Sequence, residues 1–300
     1  MNVLNYTDWQ ETADTLHLLL QMTGKVKLAH CDKRPEWAHI RQYLTLDGIS
    51  TGIIPCQPSP FEICFDFHQD GIIFRNDRGK SQVVKLEDGK SIGAYYQQFQ
   101  AALKQIDATT EINVHPQEFY DPVDFDKDEK HHAYDRKAAL NWLDDMLFAY
   151  QALYLFMSPF RGKVTGPAYY FGTMDLSCIV YSGEPVPLGR DDKVMQYAFD
   201  ERCYECGFWP GDPNFPEPAF YCMPYPFIKD LQGNEKFLRP DKAFFKPEKM
   251  EFFLRLKDAL DYPNPQNMVA DFCRSGFDLI QEIYTWRNLE WITRPLEYKG

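Results

Sequence analysis

The chain is short of positive charge. It carries 32 Lys and Arg against 44 Asp and Glu, a formal net charge of -12, with no basic stripe to break the acidic field. Such a field repels phosphate backbones and excludes nucleic acid as an expected partner. Long hydrophobic runs are also lacking. No segment approaches the ~20 apolar residues of a membrane-spanning helix, so no membrane partner is expected. Eight cysteines among 300 residues are too sparse for a disulfide framework. The start of the chain has neither a basic leader nor an apolar core longer than Leu18-Leu19-Leu20, which reads as a reduced, cytoplasmic protein. There is no Gly-rich phosphate loop or His-Glu-x-x-His helix, and no nucleophile elbow is read. Histidine is confined: all seven lie within the first 132 residues, so any imidazole chemistry must come from there.

What is abundant is aromatic, at 16% of residues, and proline, at 21. A capped helix start is read at Asp8, with Glu11 three residues on, and helical spacing through Trp9, Ala13, Leu16, Leu19 and Leu20 to a stop at Gly24. Strand-like runs follow at 39–46, 61–68, 71–75 and 82–86, several separated by Gly-bearing turns. Helices are predicted from Ser91 and over 135–157, strands over 169–181 and 219–225, and a last helix over 266–286. Gly24-Lys25-Val26 and Gly162-Lys163-Val164 each stand where a helical pattern yields to a strand-like one. Later elements recur in the same order. The predicted fold is α+β: two pseudo-repeated helix–antiparallel strands–helix units, with sheets packed against helices. The halves are placed at 1–115 and 134–300, joined by an acidic connection over 116–133, whether as two domains or one compact one.

Thr15-Leu16-His17-Leu18, the 61–67 strand, His131 with Tyr134-Asp135, Tyr181-Ser182-Gly183, and above all Gly207-Phe208-Trp209-Pro210-Gly211 before Ala219-Phe220-Tyr221 carry a resemblance. Over nearly its whole length the chain resembles the domain of unknown function 5996 family. That family is functionally uncharacterised, so the resemblance implies no catalytic residues.

Strand periodicity puts Glu62, Cys64, Asp66 and His68 on one face. Two carboxylates and an imidazole there are suited to metal binding or acid–base work. A half-buried strand with its polar face in water explains the same alternation. Asp124, Asp126 and Asp128 imitate a calcium loop but lack its glycine and its closing glutamate, so they read as a solvated connection. His131, beside Tyr134, is a candidate site edge. Cys203-Tyr204-Glu205-Cys206 has zinc-knuckle spacing but no second pair, and reads as two cysteines in a connection. Lys25 and Lys163 are helix caps or, if the repeat forms a central cleft, anion contacts.

Two function classes follow. The first is a small-molecule-binding protein with an aromatic-lined seam between pseudo-equivalent halves, lined by Lys25, Lys163, Trp209 and Tyr221. The second is a metal-assisted or acid–base enzyme using Glu62, Asp66 and His68, with His131 as a further candidate. No metal site and no cofactor are read, and the sequence does not decide whether the protein is an enzyme.

Overall fold

The computed structural model describes residues 2–189, 191–231 and 233–296. Two units emerge, one of residues 1–145 with 169–175 and one of 146–168 with 176–300. The acidic connection belongs to the first, and the division falls within a helix.

The first unit is organised by α1 (Tyr6–His30). It begins one turn earlier than predicted, because Asp8 accepts the Asn5 amide at 3.0 Å as the third residue of the helix. It also runs through Gly24. That glycine is needed for packing and ends nothing: a Cβ there would lie 2.0 Å from the Phe171 ring. The first Gly-Lys-Val is therefore mid-helix, and Lys25 caps no helix end. A five-stranded antiparallel sheet follows in sequence order, β1 (Tyr43–Leu44), β2 (Ile49–Ser50), β3 (Phe61–Asp66), β4 (Gly71–Asn76) and β5 (Ser81–Lys85). Alternation along β3 buries Phe61, Ile63 and Phe65. Helix α2 (Ile92–Gln105) starts at Ser91, whose side chain accepts from the Ala94 amide, and packs Phe99 edge-on against Phe74. Helix α3 (Arg136–Met157) brings Trp142 against Trp9 and Phe67.

The second unit carries most of β6 (Val164–Tyr170) and of β7 (Asp175–Pro185), together with α4 (Lys193–Ala198), β8 (Glu201–Trp209), β9 (Ala219–Tyr225), β10 (Phe244–Lys246) and β11 (Glu251–Arg255). Helices α5 (Leu256–Leu260), α6 (Pro265–Ile283) and α7 (Leu289–Ile292) follow. Its antiparallel sheet has the order β10-β11-β9-β8-β7-β6. The single strand expected over 169–181 is instead split by a turn between β6 and β7, and the Cys203–Cys206 segment expected in a connection lies within β8. Cys178, Cys206, Cys222 and Phe252 are successive register partners across β7, β8, β9 and β11. That face meets α3 and α6 through the contacts of Phe148 with Phe220 and of Phe277 with Tyr204. On the other face, Gly207, Tyr221 and Phe253 form the neighbouring row. Gly207 is there because the Tyr221 ring lies over it, 2.4 Å from where a Cβ would stand. The Gly-Phe-Trp-Pro-Gly string thus records packing and a turn.

The second Gly-Lys-Val does fall between a helix and a strand, with Gly162 at φ +88. The two copies therefore hold different structural positions; the second sheet runs in sequence order from β6 to β9, as the first does from β1 to β5, and departs from it where β11 rather than β10 pairs with β9.

Candidate functional site

Residues 12–27 of α1 are buried on every side, polar side chains included. A helix in that position must find a partner for each polar group. Gln10, Asp14, His17 and Gln21, spaced by four, three and four residues, form one stripe, and all of them face the 117–120 loop. Gln10 donates to the Tyr120 hydroxyl at 2.8 Å. Asp14 accepts from the hydroxyls of Tyr6, at 2.7 Å, and Tyr120. Gln21 donates to the Gln117 carbonyl and accepts the Gln117 amide, at 2.7 and 2.8 Å. Burial first, and the Asp14 carboxylate second, push the Tyr120 hydroxyl up to about 12.

His17 places Nε2 2.7 Å from the Phe171 carbonyl and 3.3 Å from the Gln21 amide nitrogen. The amide orientation is fixed by Gln117, so the shorter contact sets the tautomer: Nε2 carries the proton and donates to Phe171. Burial lowers the His17 pKa despite the Phe171 carbonyl and Asp14, which keeps the ring neutral at pH 7.

The Phe119 ring lies edge-on between His17 and His131, with centroids 5.5 and 5.4 Å away. His131 is 7% exposed and Asp128 is fully buried. The Asp128 carboxylate accepts from His131 Nδ1 at 2.7 Å and from the amides of Lys130 and His131 at 3.0 Å. Burial alone would raise the Asp128 pKa, but these donors outweigh it and hold the carboxyl below its ordinary value. Asp128 is therefore not part of a solvated linker, and the partner of His131 is an aspartate, while the Tyr134 hydroxyl donates to Asp70 at 2.9 Å. His131 Nε2 has no hydrogen-bond partner among the described residues. It is also not one of the sealed polar atoms left without a partner, so it keeps contact with solvent. The loop leading into this pair includes Glu118 at φ +53, a left-handed conformation that side chains adopt at some cost.

The other candidates stand elsewhere. Glu62 is ion-paired with Arg75 at 2.6 Å and accepts from Ser50 at 2.6 Å. Asp66 accepts the Gln69 amide at 2.9 Å in the turn after β3. His68 lies in that turn, exposed. Their donor atoms do not gather: the one group of metal-type ligands that converges among the described residues is a set of cysteines. Gly48-Ile49-Ser50-Thr51-Gly52 does have nucleophile-elbow spacing, which the sequence reading passes over. Ser50 sits on β2 facing Glu62, with no strand-to-helix turn and no histidine beside it.

Lys25 belongs to the first unit, where it donates to the His115 carbonyl at 2.6 Å. Lys163, Trp209 and Tyr221 belong to the second. Lys163 pairs with Glu201 at 3.0 Å over the Tyr181 ring. Trp209 stacks on Phe215, and the Tyr221 hydroxyl donates to Glu205 at 2.9 Å. Trp209 and Tyr221 share one aromatic cluster, which Lys163 does not join.

The model of a family of unknown function, DUF5996, matches residues 1–291. The chain belongs to that family. No curated protein and no solved structure matches it. The DUF5996 strings quoted from the sequence divide accordingly. Thr15-Leu16-His17-Leu18 and His131 border the polar centre, whereas Gly207–Gly211 and Ala219–Tyr221 shape the second sheet. Sequence reasoning missed Asp14, Gln21 and Asp128. The stripe spacing on α1 and the i, i+3 relation of Asp128 to His131 were the available signals.

Proposed function

We propose that the protein acts on a small ligand by proton transfer, with His131 as the acid–base group and Asp128 as its orienting partner. One observation carries this reading: Nδ1 of His131 is held by a buried carboxylate while Nε2 is left to solvent. An aspartate on Nδ1 fixes the tautomer that presents Nε2 as a base, and stabilises the imidazolium once a proton is taken. The net charge of -12 disfavours a polyanionic substrate. The acid–base alternative thereby moves from Glu62, Asp66 and His68 to a different pair.

The test is a panel of esters, amides and enolisable carbonyl compounds, read by hydrolysis and by solvent deuterium uptake. Turnover is expected in the wild type, with a loss of about 10²–10⁴-fold in His131→Gln and a comparable fall in Asp128→Asn. Equal turnover in the wild type and His131→Gln, or none with any compound, would remove the proposal.

A further inference from the structure

Cys206, Cys222 and Cys273 come from β8, β9 and α6, and their sulfurs all lie within 4.8 Å of one another. Each is 0% exposed. Cys206 and Cys222 are direct cross-strand partners, with sulfurs 3.2 Å apart. That is far longer than the ~2.05 Å of a disulfide. It is about half an ångström short of the ~3.8 Å that separates two sulfurs each ~2.3 Å from one tetrahedral ion. Cys203, the other half of the Cys-x-x-Cys string, is three residues from Cys206 and so on the opposite sheet face, within the cluster of Tyr181, Phe199 and Tyr225. The sequence pair was the wrong pair: folding replaces Cys203 with two cysteines from later elements.

We propose that Cys206, Cys222 and Cys273 form a binding site for one thiophilic d10 cation, Zn²⁺ or Cu⁺, that ties α6 to the sheet. Three sulfurs with no carboxylate or imidazole among them select soft cations over Mg²⁺, Ca²⁺ or Mn²⁺. Two strands and a helix supply the ligands, so an ion held there would join three separate elements. The helix is brought close by Gly276, where a Cβ would meet the Tyr204 hydroxyl at 2.3 Å. That hydroxyl donates to the Cys273 carbonyl at 3.1 Å, which fixes α6 against β8 beside the three sulfurs.

The full chain should be unfolded, refolded under reductant with Zn²⁺, Co²⁺ or Cu⁺ in turn, desalted and analysed for bound metal. One ion per chain is expected, with a sulfur-to-cobalt charge-transfer band for Co²⁺ and a fall to below a tenth of that stoichiometry in Cys222→Ser. Cys31→Ser and Cys56→Ser should retain the ion. Retention of Zn²⁺ and Co²⁺ identifies a tetrahedral site, and retention of Cu⁺ alone a three-sulfur site. If Cys222→Ser does not fold, the wild type still decides the matter by its own metal content and by slowed alkylation of Cys206, Cys222 and Cys273 in the metal-loaded form. A folded wild type that holds less than a tenth of an ion after every refolding overturns the proposal. So does a mass two hydrogens low that maps to a Cys206–Cys222 bond under reductant.

Discussion

The two units fill their interiors with different chemistry. Around α1 the first unit buries Asp14, His17, Gln21, Lys25 and Lys27, and each finds a partner. The second buries a row of cysteines and aromatic rings between its sheet and α6, and no histidine at all. Polar groups in a low-dielectric interior are directional and demand complete satisfaction. Thiols and rings ask mainly for shape. The interior of the first unit is therefore held by directional hydrogen bonds, and that of the second mainly by shape.

The contrast breaks most readily at Asp128. Asp128→Ala strands three donors inside the first unit and is expected to cost about 3 kcal/mol in denaturant unfolding. Because the Asp128 pKa is held below its unfolded value, its contribution is present above the unfolded carboxylate pKa, near 4, and fades as pH falls through the folded one. The mutational loss should accordingly shrink in strongly acidic buffer.

Steric insertion compares the two interiors directly. Gly207→Ala drives a methyl into the Tyr221 ring and should cost about 2 kcal/mol. Gly24→Ala meets the Phe171 ring at 2.0 Å, closer than the 2.4 Å at Gly207, but alanine regains nearly 1 kcal/mol of helix propensity, so its net loss by thermal unfolding should be about 1 kcal/mol. Equal losses would show that the first unit yields less than its packing implies.

Asp145 sharpens the picture from the opposite direction. Burial, and then the neighbouring Asp144, push its carboxyl up to about 7, and Oδ1 has no partner. The folded state holds this proton between about pH 4 and 7 while the unfolded state has lost it, so stability falls as pH rises through that window. Asp145→Asn should stabilise the protein by about 1 kcal/mol at pH 8 and by little at pH 4, read from Tm at both. The smallest effect belongs to Glu62. Its exposed pairing with Arg75 predicts a loss near 0.5 kcal/mol for Glu62→Gln, suppressed further by salt.

Most elements are legible in the chain because their signals are local. The alternation of 61–66, the serine cap at 91 and the apolar periods of α2, α3 and α6 all act within a few residues. Gly24 misled because its helical neighbours and its real constraint, Phe171, lie far apart in sequence. The turn between β6 and β7 was hidden in the same way, as was the placement of Cys203 and Cys206 on a strand. Of the polar centre, only His131 stood out. Asp128 looked solvated in an acidic string, and it is buried because the connection folds back on the start of α2, whose Gly93 amide donates to the Asp128 carbonyl.

By itself the sequence determined the α+β class, the run of strands and helices, the confinement of histidine to the first 132 residues and the membership in DUF5996. Tertiary structure alone decided which polar groups share an environment. Periodicity reports which face of an element a residue occupies, whereas the pairings of His131 with Asp128 and of Cys206 with Cys222 and Cys273 depend on which surfaces close over them. Burial then supplies the low dielectric that makes those pairings chemically significant.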